Sequence, residues 1–370
     1  MANPLCTYFG ECGGCSWQHL DYPIQTENKK KTLANAINFN DIKIFAGKEY
    51  FYRSRMDMVF HEKGIGLREK RKWDRIINIE KCAISNEKLN NLIKEVGDFF
   101  NNVDAFDLKK HIGAFRYAVI RTPPEDSSIS FVLNGDSTKL KEAVEKITEF
   151  SAVTTADNII IVYTPQEADF STSDEFFAVK GSEMLKERYL GNEFLYPAQG
   201  FFQNNHEVAE KMQEYCHGLL KPYGAKEAHL IDLYGGVGAF GVINASLFKE
   251  VTIIESDKLA VKAANINIKN NNADNARAIE LDAKNLKKIG FPKPLFVIAD
   301  PPRSGMHPKA IEQLKNLRPE AIIYISCNAE QLGKDILKFK DYKIKSAALF
   351  DLFPQTTHIE AVAELTLNRG

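Results

Sequence analysis

The chain has 370 residues, of which 44% are hydrophobic and 26% are charged, and its formal net charge is -1. This length and apolar content exceed what one ordinary domain needs, so we expect a soluble protein of two or three packed units. No apolar run is long enough to span a bilayer and the first residues carry no secretory signal, so we expect a cytoplasmic protein without membrane contact. The nearly neutral charge excludes a global basic field for nucleic acids but leaves room for a local patch.

Three of the six cysteines stand close together at the start of the chain. Cys6, Cys12 and Cys15 follow C-x5-C-x2-C spacing, and Cys82 is the only other cysteine in the N-terminal half. In a reducing compartment such a group is more often a metal or cofactor site than a disulfide framework. Four thiolates can enclose a tetrahedral zinc ion or an iron–sulfur cluster, and the spacing does not distinguish the two.

The segment "REKRKWDR", residues 68–75, is the best candidate for a local nucleic-acid contact. It places five basic and two acidic residues around Trp73, a side chain that can stack on a base. A solvated hairpin loop is an equally good interpretation of the same residues. The stretch that follows is typical of an α+β unit, with strand-like runs "GAFRYAVIRT", "SISFVLNG" and "NIIIVYT" and a helix-like "STKLKEAVEKITEF".

From residue 228 short apolar runs alternate with amphipathic stretches, which is typical of a mostly parallel α/β sheet. The predicted strands are "AHLIDLY", "VTIIES", "RAIELD", "PLFVIAD", "AIIYIS" and "IKSAALF". The predicted helices are "HEVAEKMQEYCHGLLKP", with Cys216 as a packed core cysteine, "DKLAVKAANINIKNN" and "HPKAIEQLKNL". We therefore expect the fold class α/β, with a Cys-rich region over residues 1–90, a central α+β domain over 91–193 and a Rossmann-like domain over 194–370.

A glycine-rich loop, "DLYGGVGAFG", connects the first strand of the last domain to a helix. Gly236, Gly238 and Gly241 follow the pattern whose backbone N–H groups and close chain approach suit a nucleotide-like ligand. Glu255 ends the second strand, where a carboxylate can accept hydrogen bonds from two ribose hydroxyls. NAD and S-adenosylmethionine share these requirements, so the glycine loop does not separate them.

Two later strands end in residues with reactive or orienting side chains. Asp300 opens "DPPRSG", where two prolines fix the backbone, and Cys327 follows the strand "AIIYIS". Open α/β sheets bind their ligands at the edge where such strands end. A thiolate there can add to C6 of a uracil ring and make C5 nucleophilic. Removal of the C5 proton then needs a base, which "FPQTTHIEAV" supplies as Glu360, with His358 beside it.

These motifs together resemble the TrmA/RumA family of RNA uracil-C5 methyltransferases over nearly the whole chain. The matching segments are "CTYFGECGGC" with the later Cys82, "FFQNN", "DLYGGVGAFG", "IES", "DPPRSG", "SCN" and "DLFPQTTHIE". The resemblance implies an S-adenosylmethionine-dependent methyltransferase domain that acts on a flipped-out uridine, with Cys327 as nucleophile and Glu360 as base. It also implies a set of residues around the cofactor: Gln203, Tyr234, Glu255, Asp282 and Asp300.

For the cysteine group, the resemblance favours a [4Fe-4S] cluster over zinc. The implied ligands are Cys6, Cys12, Cys15 and Cys82. Methyl transfer needs no electron, so we expect the cluster to be structural and to hold the N-terminal segment against the region that ends near Cys82.

Two departures from the family pattern narrow the resemblance. Ala329 follows "SCN", where many members have proline, and the cysteine motif starts at residue 6, so we expect no N-terminal β-barrel of the kind that several members have. Both features resemble the RlmC branch, so we expect a hairpin-loop uridine of 23S ribosomal RNA as the substrate. The alternatives within the family are a transfer-RNA T loop and another 23S site. We expect a monomer, since the sequence shows no coiled-coil seam.

Two other classes of function stay open. An NAD-dependent oxidoreductase with an iron–sulfur centre explains the glycine loop and the cysteines, but it leaves "DPPRSG" and Cys327 without a role. A catalytically silent RNA-binding protein on the same scaffold has no reason to contain Cys327 together with Glu360. RNA methyl transfer is therefore the preferred hypothesis.

Overall fold

The computed structural model describes residues 2–223 and 226–368 of the chain. The strands are β1 Ile42–Phe45, β2 Arg55–His61, β3 Gly64–Arg68, β4 Ile76–Asn78, β5 Phe115–Arg121, β6 Ser128–Asn134, β7 Asn158–Thr164, β8 Phe176–Lys180, β9 Met184–Tyr189, β10 Asn192–Pro197, β11 His229–Leu233, β12 Glu250–Glu255, β13 Ala276–Glu280, β14 Leu295–Ala299, β15 Ala321–Ser326, β16 Tyr342–Phe350 and β17 Glu360–Leu367. The helices are α1 Tyr22–Ile37, α2 Glu87–Phe99, α3 Leu140–Ser151, α4 His206–Leu220, α5 Ala239–Asn244, α6 Lys258–Asn270, α7 Pro308–Leu317 and α8 Ala329–Ile336. The strands and helices that the sequence predicted are all present. Across the described residues, none of the helices combines the length and apolar character that a membrane span requires.

The larger sheet has eight strands, in the order β1, β16, β17, β15, β14, β11, β12, β13. The strands from β11 to β15 pair in parallel, whereas β17 runs antiparallel to both β15 and β16. Strands β11, β14 and β15 are buried along their whole length, which explains why β14, and β15 up to Ser326, are continuous apolar runs rather than alternating ones. In β11 the buried residues include His229 and Asp232. Successive residues such as Leu230 and Ile231 enter two different apolar cores, one on each face of the sheet.

The second sheet has seven strands, in the order β4, β3, β2, β5, β6, β7, β8. Its pairs are antiparallel except for β6 and β7. Helices α2 and α3 pack on one face, where Phe100 and Phe150 contact each other and Phe131. The opposite face contributes Val119 and Ile160 to a core that is shared with the larger sheet. The two sheets are therefore joined by continuous apolar packing.

The sheets do not follow the predicted boundaries at residues 90 and 193. Strand β1 pairs with β16 in the larger sheet, and α1 packs on α8, although both lie in the predicted Cys-rich region. Strands β2 to β4 belong to the second sheet, and β10 spans residue 193. Helix α1 was not predicted from the sequence. Three of its five buried residues, Gln25, Thr26 and Lys29, are polar, so its apolar residues do not recur at helical spacing.

Candidate active site

The carboxyl ends of the parallel strands meet at a cavity of about 830 Å³. All seven residues that the sequence placed at the catalytic and cofactor sites line it. They are Gln203, Tyr234, Glu255, Asp282, Asp300, Cys327 and Glu360. The lining also includes residues that the sequence did not assign to the site: Arg53, Phe201, Arg303 and Phe353. Arg53 comes from the segment before β2, so no pattern within the C-terminal domain could have indicated it.

The glycine loop is tied to the acidic residue at the end of β12. The N–H of Gly236 donates to Oε2 of Glu255 over 3.1 Å, and the N–H groups of Ser256 and Asp257 donate to Oε1 over 2.6 and 2.8 Å. Gly236 has a φ of +53°, and a Cβ added there would meet no other atom within 4 Å. The loop thus leaves open space beside a fixed carboxylate, as the cradle of a nucleotide-like ligand requires.

Tyr234 opens the glycine loop in an unusual backbone conformation. Its φ is +61°, a region that non-glycine residues seldom adopt. Burial raises the pKa of its hydroxyl to about 12, and the nearby carboxylates of Asp282 and Asp335 act in the same direction. Tyr234 therefore lines the cavity as a neutral hydrogen-bonding group.

The loop after Asp300 is anchored by a residue that the sequence analysis missed. The buried carboxylate of Asp335 accepts hydrogen bonds from the N–H of Met306 over 3.0 Å and from the hydroxyl of Tyr324 over 2.7 Å. Lys338 and Gln331 also donate to it, over 2.8 and 3.0 Å. Asp335 thus ties the "DPPRSG" loop to β15 and α8, the two elements that flank Cys327. The one sequence signal for Asp335 was an acidic residue on the apolar side of the amphipathic helix α8.

Strand register brings Cys327 and Glu360 together. Antiparallel pairing places Ser326, the last residue of β15, opposite Ala361 of β17. The next residue of one strand is Cys327 and the preceding residue of the other is Glu360, so both side chains lie at the same end of the pair. The side chain of Asn328 then caps α8 by accepting from the N–H of Gln331 over 3.2 Å.

The electrostatics of the cavity favour neutral side chains. Burial raises the pKa of Cys327 to about 11, and the charges of Glu360 and Asp300 add to the effect, whereas Arg303 opposes it. Burial also raises the pKa of Asp300 to about 7. Burial and then the charge of Asp300 raise the pKa of Glu360 well above its usual range. The charge of Asp300 therefore disfavours ionisation of Glu360 in the cavity.

A second cavity, of about 800 Å³, is lined by all four N-terminal cysteines, Cys6, Cys12, Cys15 and Cys82. Burial and then the thiols of Cys82 and Cys6 raise the pKa of Cys12, whereas a hydrogen bond from the N–H of Gly14 lowers it. Among the described residues, no group of three or more His, Cys, Asp or Glu side chains is arranged so that it could hold a metal ion. Cys216 is fully buried in α4, which confirms it as a core residue.

Residues 69–75 form the loop between β3 and β4, as the hairpin interpretation predicted. Trp73 within this loop is 57% exposed. The loop is backed by the cysteine segment, because the N–H of Lys70 donates to the carbonyl of Glu11 over 2.7 Å and the N–H of Gly13 donates to the carbonyl of Arg68 over 3.1 Å.

Comparisons with known proteins agree with this geometry. The model of the tRNA (uracil-5-)-methyltransferase family matches residues 21–368. A tRNA (uracil(54)-C(5))-methyltransferase of Pyrococcus abyssi is 32% identical over 98% of this chain and 85% of its own length. An uncharacterized RNA methyltransferase of Nanoarchaeum equitans is 32% identical over 100% of this chain and 81% of its own length. The crystal structure of the Pyrococcus abyssi tRNA (uracil-54, C5)-methyltransferase with S-adenosyl-L-homocysteine superposes with a TM-score of 0.80, at 28% identity, over 99% of this chain and 87% of that one.

Proposed function

The chain belongs to the tRNA (uracil-5-)-methyltransferase family and is an S-adenosylmethionine-dependent RNA uracil-C5 methyltransferase, and we propose that Cys327 and Glu360 perform its chemistry. One observation carries the proposal: a cysteine and a buried glutamate at adjoining strand ends line the same cavity as the glycine loop and Glu255. A dehydrogenase has no use for that pair.

The proposed reaction begins at the sulfur of Cys327. The thiol of Cys327 first loses its proton to solvent, the resulting thiolate bonds to C6 of the uracil, and the electron pair of the C5–C6 double bond moves toward C5 and O4. S-adenosylmethionine supplies the methyl group, which C5 accepts. Glu360 then removes the remaining proton from C5, the C5–C6 double bond forms again, and the bond between C6 and sulfur breaks. The products are 5-methyluridine, S-adenosylhomocysteine and the Cys327 thiolate, which regains a proton from solvent.

The raised pKa values of Cys327 and Glu360 indicate the order in which the two side chains become charged during the reaction. Before RNA binds, burial disfavours the charged forms of both Cys327 and Glu360. While Glu360 is neutral, its carboxyl group does not repel the negative charge that forms on the sulfur of Cys327. Once sulfur is bonded to carbon it carries no charge, so Glu360 loses a like-charged neighbour and can ionise to act as the base.

The cofactor site is proposed for the glycine loop and the strand ends beside it. Glu255 is held by three backbone N–H groups, which fixes its carboxylate for the ribose hydroxyls. Asp282 ends the next strand segment and suits the adenine end. Asp300 and Gln203 complete the lining toward Cys327.

A [4Fe-4S] cluster on Cys6, Cys12, Cys15 and Cys82 is part of the proposal. The chemistry of the donors supports it, since four thiols line one cavity and Gly13 and Gly14 allow a tight turn between Cys12 and Cys15, although the described side chains do not converge as a metal site. The cluster would act by holding the N-terminal segment in place. We expect Cys82→Ser to lower both iron and acid-labile sulfide content, whereas Cys216→Ser should leave both unchanged.

For the RNA, two candidates have support. Ala329 after "SCN" favours the 23S ribosomal hairpin-loop uridine. The Pyrococcus relatives, at 30–32% identity, favour uracil 54 of transfer RNA. Both targets demand the same chemistry, because a uridine in a loop can be turned out of its stack at modest cost.

The deciding experiment uses anaerobically purified protein with methyl-labelled S-adenosylmethionine and separate unmodified 23S and transfer RNAs. The product nucleoside is identified by mass spectrometry. If labelled 5-methyluridine forms in only one of the two RNAs, that RNA is the substrate. Absence of 5-methyluridine from both RNAs, with Cys327→Ala as the blank, would contradict the proposed roles.

A further inference from the structure

We propose that the chain has a second RNA contact, separate from the methylation cavity, formed by residues 69–75 and 105–112. We call these two loops the tryptophan surface. It takes a single-stranded RNA segment, with a base stacked on Trp73 and phosphates beside the surrounding lysines and arginines. This inference rests on the proposed RNA substrate and extends it to nucleotides outside the cavity.

The two loops meet through Trp73 and its neighbour. Nζ of Lys109 lies 5.8 Å from the centre of the Trp73 ring and 2.7 Å from Oδ2 of Asp74. The two loops share a hollow of about 330 Å³, lined by Trp73 and Asp74 on one side and by Phe106 and Lys109 on the other. An exposed indole beside a lysine is the combination that holds stacked bases in single-stranded nucleic-acid sites.

Hydrogen bonds order the loop of residues 69–75 before any ligand binds. The main chain of Trp73 is fixed because Nη1 of Arg68 donates to its carbonyl over 3.2 Å. The N–H of Glu69 donates to the carbonyl of Arg75 over 2.8 Å, which closes the loop. The cysteine segment supports the other side through the N–H of Lys70 and the carbonyl of Glu11. A preordered loop loses little conformational entropy when RNA binds.

The local charge is positive although the chain as a whole carries -1. The two loops contain six Lys and Arg residues against three Asp and Glu residues. Glu69 and Asp107 pair with Lys72 and Lys110 within the loops. Lys70 and Arg71 have no acidic partner among the described ion pairs, and both are exposed. These two side chains are therefore the ones available to RNA phosphates.

The position of the surface suits an RNA that also enters the active site. The tryptophan hollow shares Val59 and Tyr117 with the cysteine cavity. The cysteine cavity in turn shares Arg53 with the active-site cavity. The cysteine cavity therefore connects the tryptophan hollow to the active-site cavity, so one folded RNA can contact the first hollow while its target uridine occupies the last.

The test uses a probe that cannot be methylated, a single-stranded oligoadenylate of about 12 nucleotides, a length within the range of known single-strand sites. The chain has two tryptophans, so the contribution of Trp73 is obtained by subtracting the fluorescence of the Trp73→Phe variant from that of the native protein. We expect the probe to quench that fluorescence. Trp73→Ala should weaken binding on the order of tenfold, and Trp73→Phe should retain most of it, because stacking is sequence-tolerant and needs only a ring.

The phosphate contacts are tested by salt dependence. Replacing Lys70 and Arg71 with Gln should reduce the slope of log affinity against log salt by about 1.4, since each phosphate contact on a single strand contributes about 0.7. Lys141→Gln with Lys334→Gln removes two exposed charges from helices outside the surface and should leave the slope unchanged. Leu337→Ala, an exposed apolar side chain on another face, is the control for Trp73→Ala.

The outcomes separate this inference from the proposed function. Native affinity for the probe in Trp73→Ala, or an unchanged salt slope in the double Gln variant, would overturn the tryptophan surface even if the enzyme makes 5-methyluridine. Quenching that depends on Trp73, in a protein that makes no 5-methyluridine, would support the surface and contradict the proposed function. With substrate RNA, Trp73→Ala should raise KM while leaving kcat unchanged.

Discussion

Nζ of Lys29 lies 2.7 Å from Oδ1 of Asp351, and both side chains are fully buried. Lys29 belongs to α1, and Asp351 begins the segment that leads to Glu360 at the start of β17. The same ammonium group donates to the carbonyl of Phe353 over 3.0 Å. The N-terminal helix thus anchors the segment that carries the proposed base, across more than three hundred residues of sequence.

Replacing Lys29 with Met should lower the free energy of unfolding by about 3–5 kcal/mol, because the Asp351 carboxylate would remain buried without its partner. Urea unfolding followed by far-UV circular dichroism measures the change. The double variant Lys29→Met with Asp351→Leu should recover most of the loss, since it removes both charges. A loss below about 1 kcal/mol in the single variant would show that the pair is not an essential anchor.

Gln355 connects the cysteine segment to the same region. Its carbonyl accepts from the N–H groups of Ser16 and Trp17, each over 3.0 Å, and its side chain accepts from Nε2 of Gln25 over 2.9 Å. Its φ is +68°, so Gln355→Gly keeps the backbone conformation and removes only the side chain.

We expect Gln355→Gly to slow turnover roughly ten- to a hundredfold, because a small displacement of Glu360 misaligns proton removal. The RNA should then accumulate as a protein adduct on denaturing gels, which a general loss of folded protein would not produce. Slow turnover without adduct would mean that Gln355 affects a step before proton removal. Thr32→Ala, a change on the exposed side of α1, serves as the control.

Glu360→Gln should stop the reaction after methyl transfer and trap a covalent protein–RNA adduct. The reason is that Gln cannot accept the C5 proton, so elimination of the sulfur does not follow. Labelled RNA that co-migrates with denatured protein measures the adduct. Cys327→Ala should abolish turnover by on the order of 10³-fold or more. Combined with Glu360→Gln it should give no adduct, and an adduct in that double variant would place the bond on another residue.

The pKa of Cys327, raised to about 11, predicts slow alkylation at neutral pH. Only the thiolate reacts, so the rate with iodoacetamide should rise about tenfold per pH unit between pH 8 and 10. Glu360→Gln removes a negative charge that raises this pKa, so the profile should shift to lower pH and labelling at a given pH should become faster.

Peptide mass spectrometry assigns the label to Cys327 rather than to the other cysteines. Glu330→Gln, which removes an exposed carboxylate on α8, should not move the profile. A flat profile between pH 8 and 10 in the native protein would contradict the raised pKa.

Much of this protein could be predicted from the sequence because its signals are local. Strand β14, and β15 up to Ser326, are unbroken apolar runs, the glycine loop has a fixed residue pattern, and Asp300 and Cys327 each stand directly after a strand. Parallel strands that end at one edge bring such residues together without further information. That edge explains why Tyr234, Glu255, Asp282, Asp300 and Cys327 line one cavity. Gln203 and Glu360 line it as well, although neither lies at the end of a parallel strand.

Only the tertiary structure decided how the N-terminal quarter joins the rest. Strand β1 has four residues, too few for a period, and α1 buries polar groups whose partners lie at the other end of the chain. Lys29 and Gln25 can be buried because Asp351 and Gln355, respectively, accept their hydrogen bonds. Nothing in the sequence indicates that these residues, so distant along the chain, are partners. Likewise, the raised pKa values at Cys327 and Glu360 arise from burial and mutual charge, which exist only after folding brings β15 and β17 side by side.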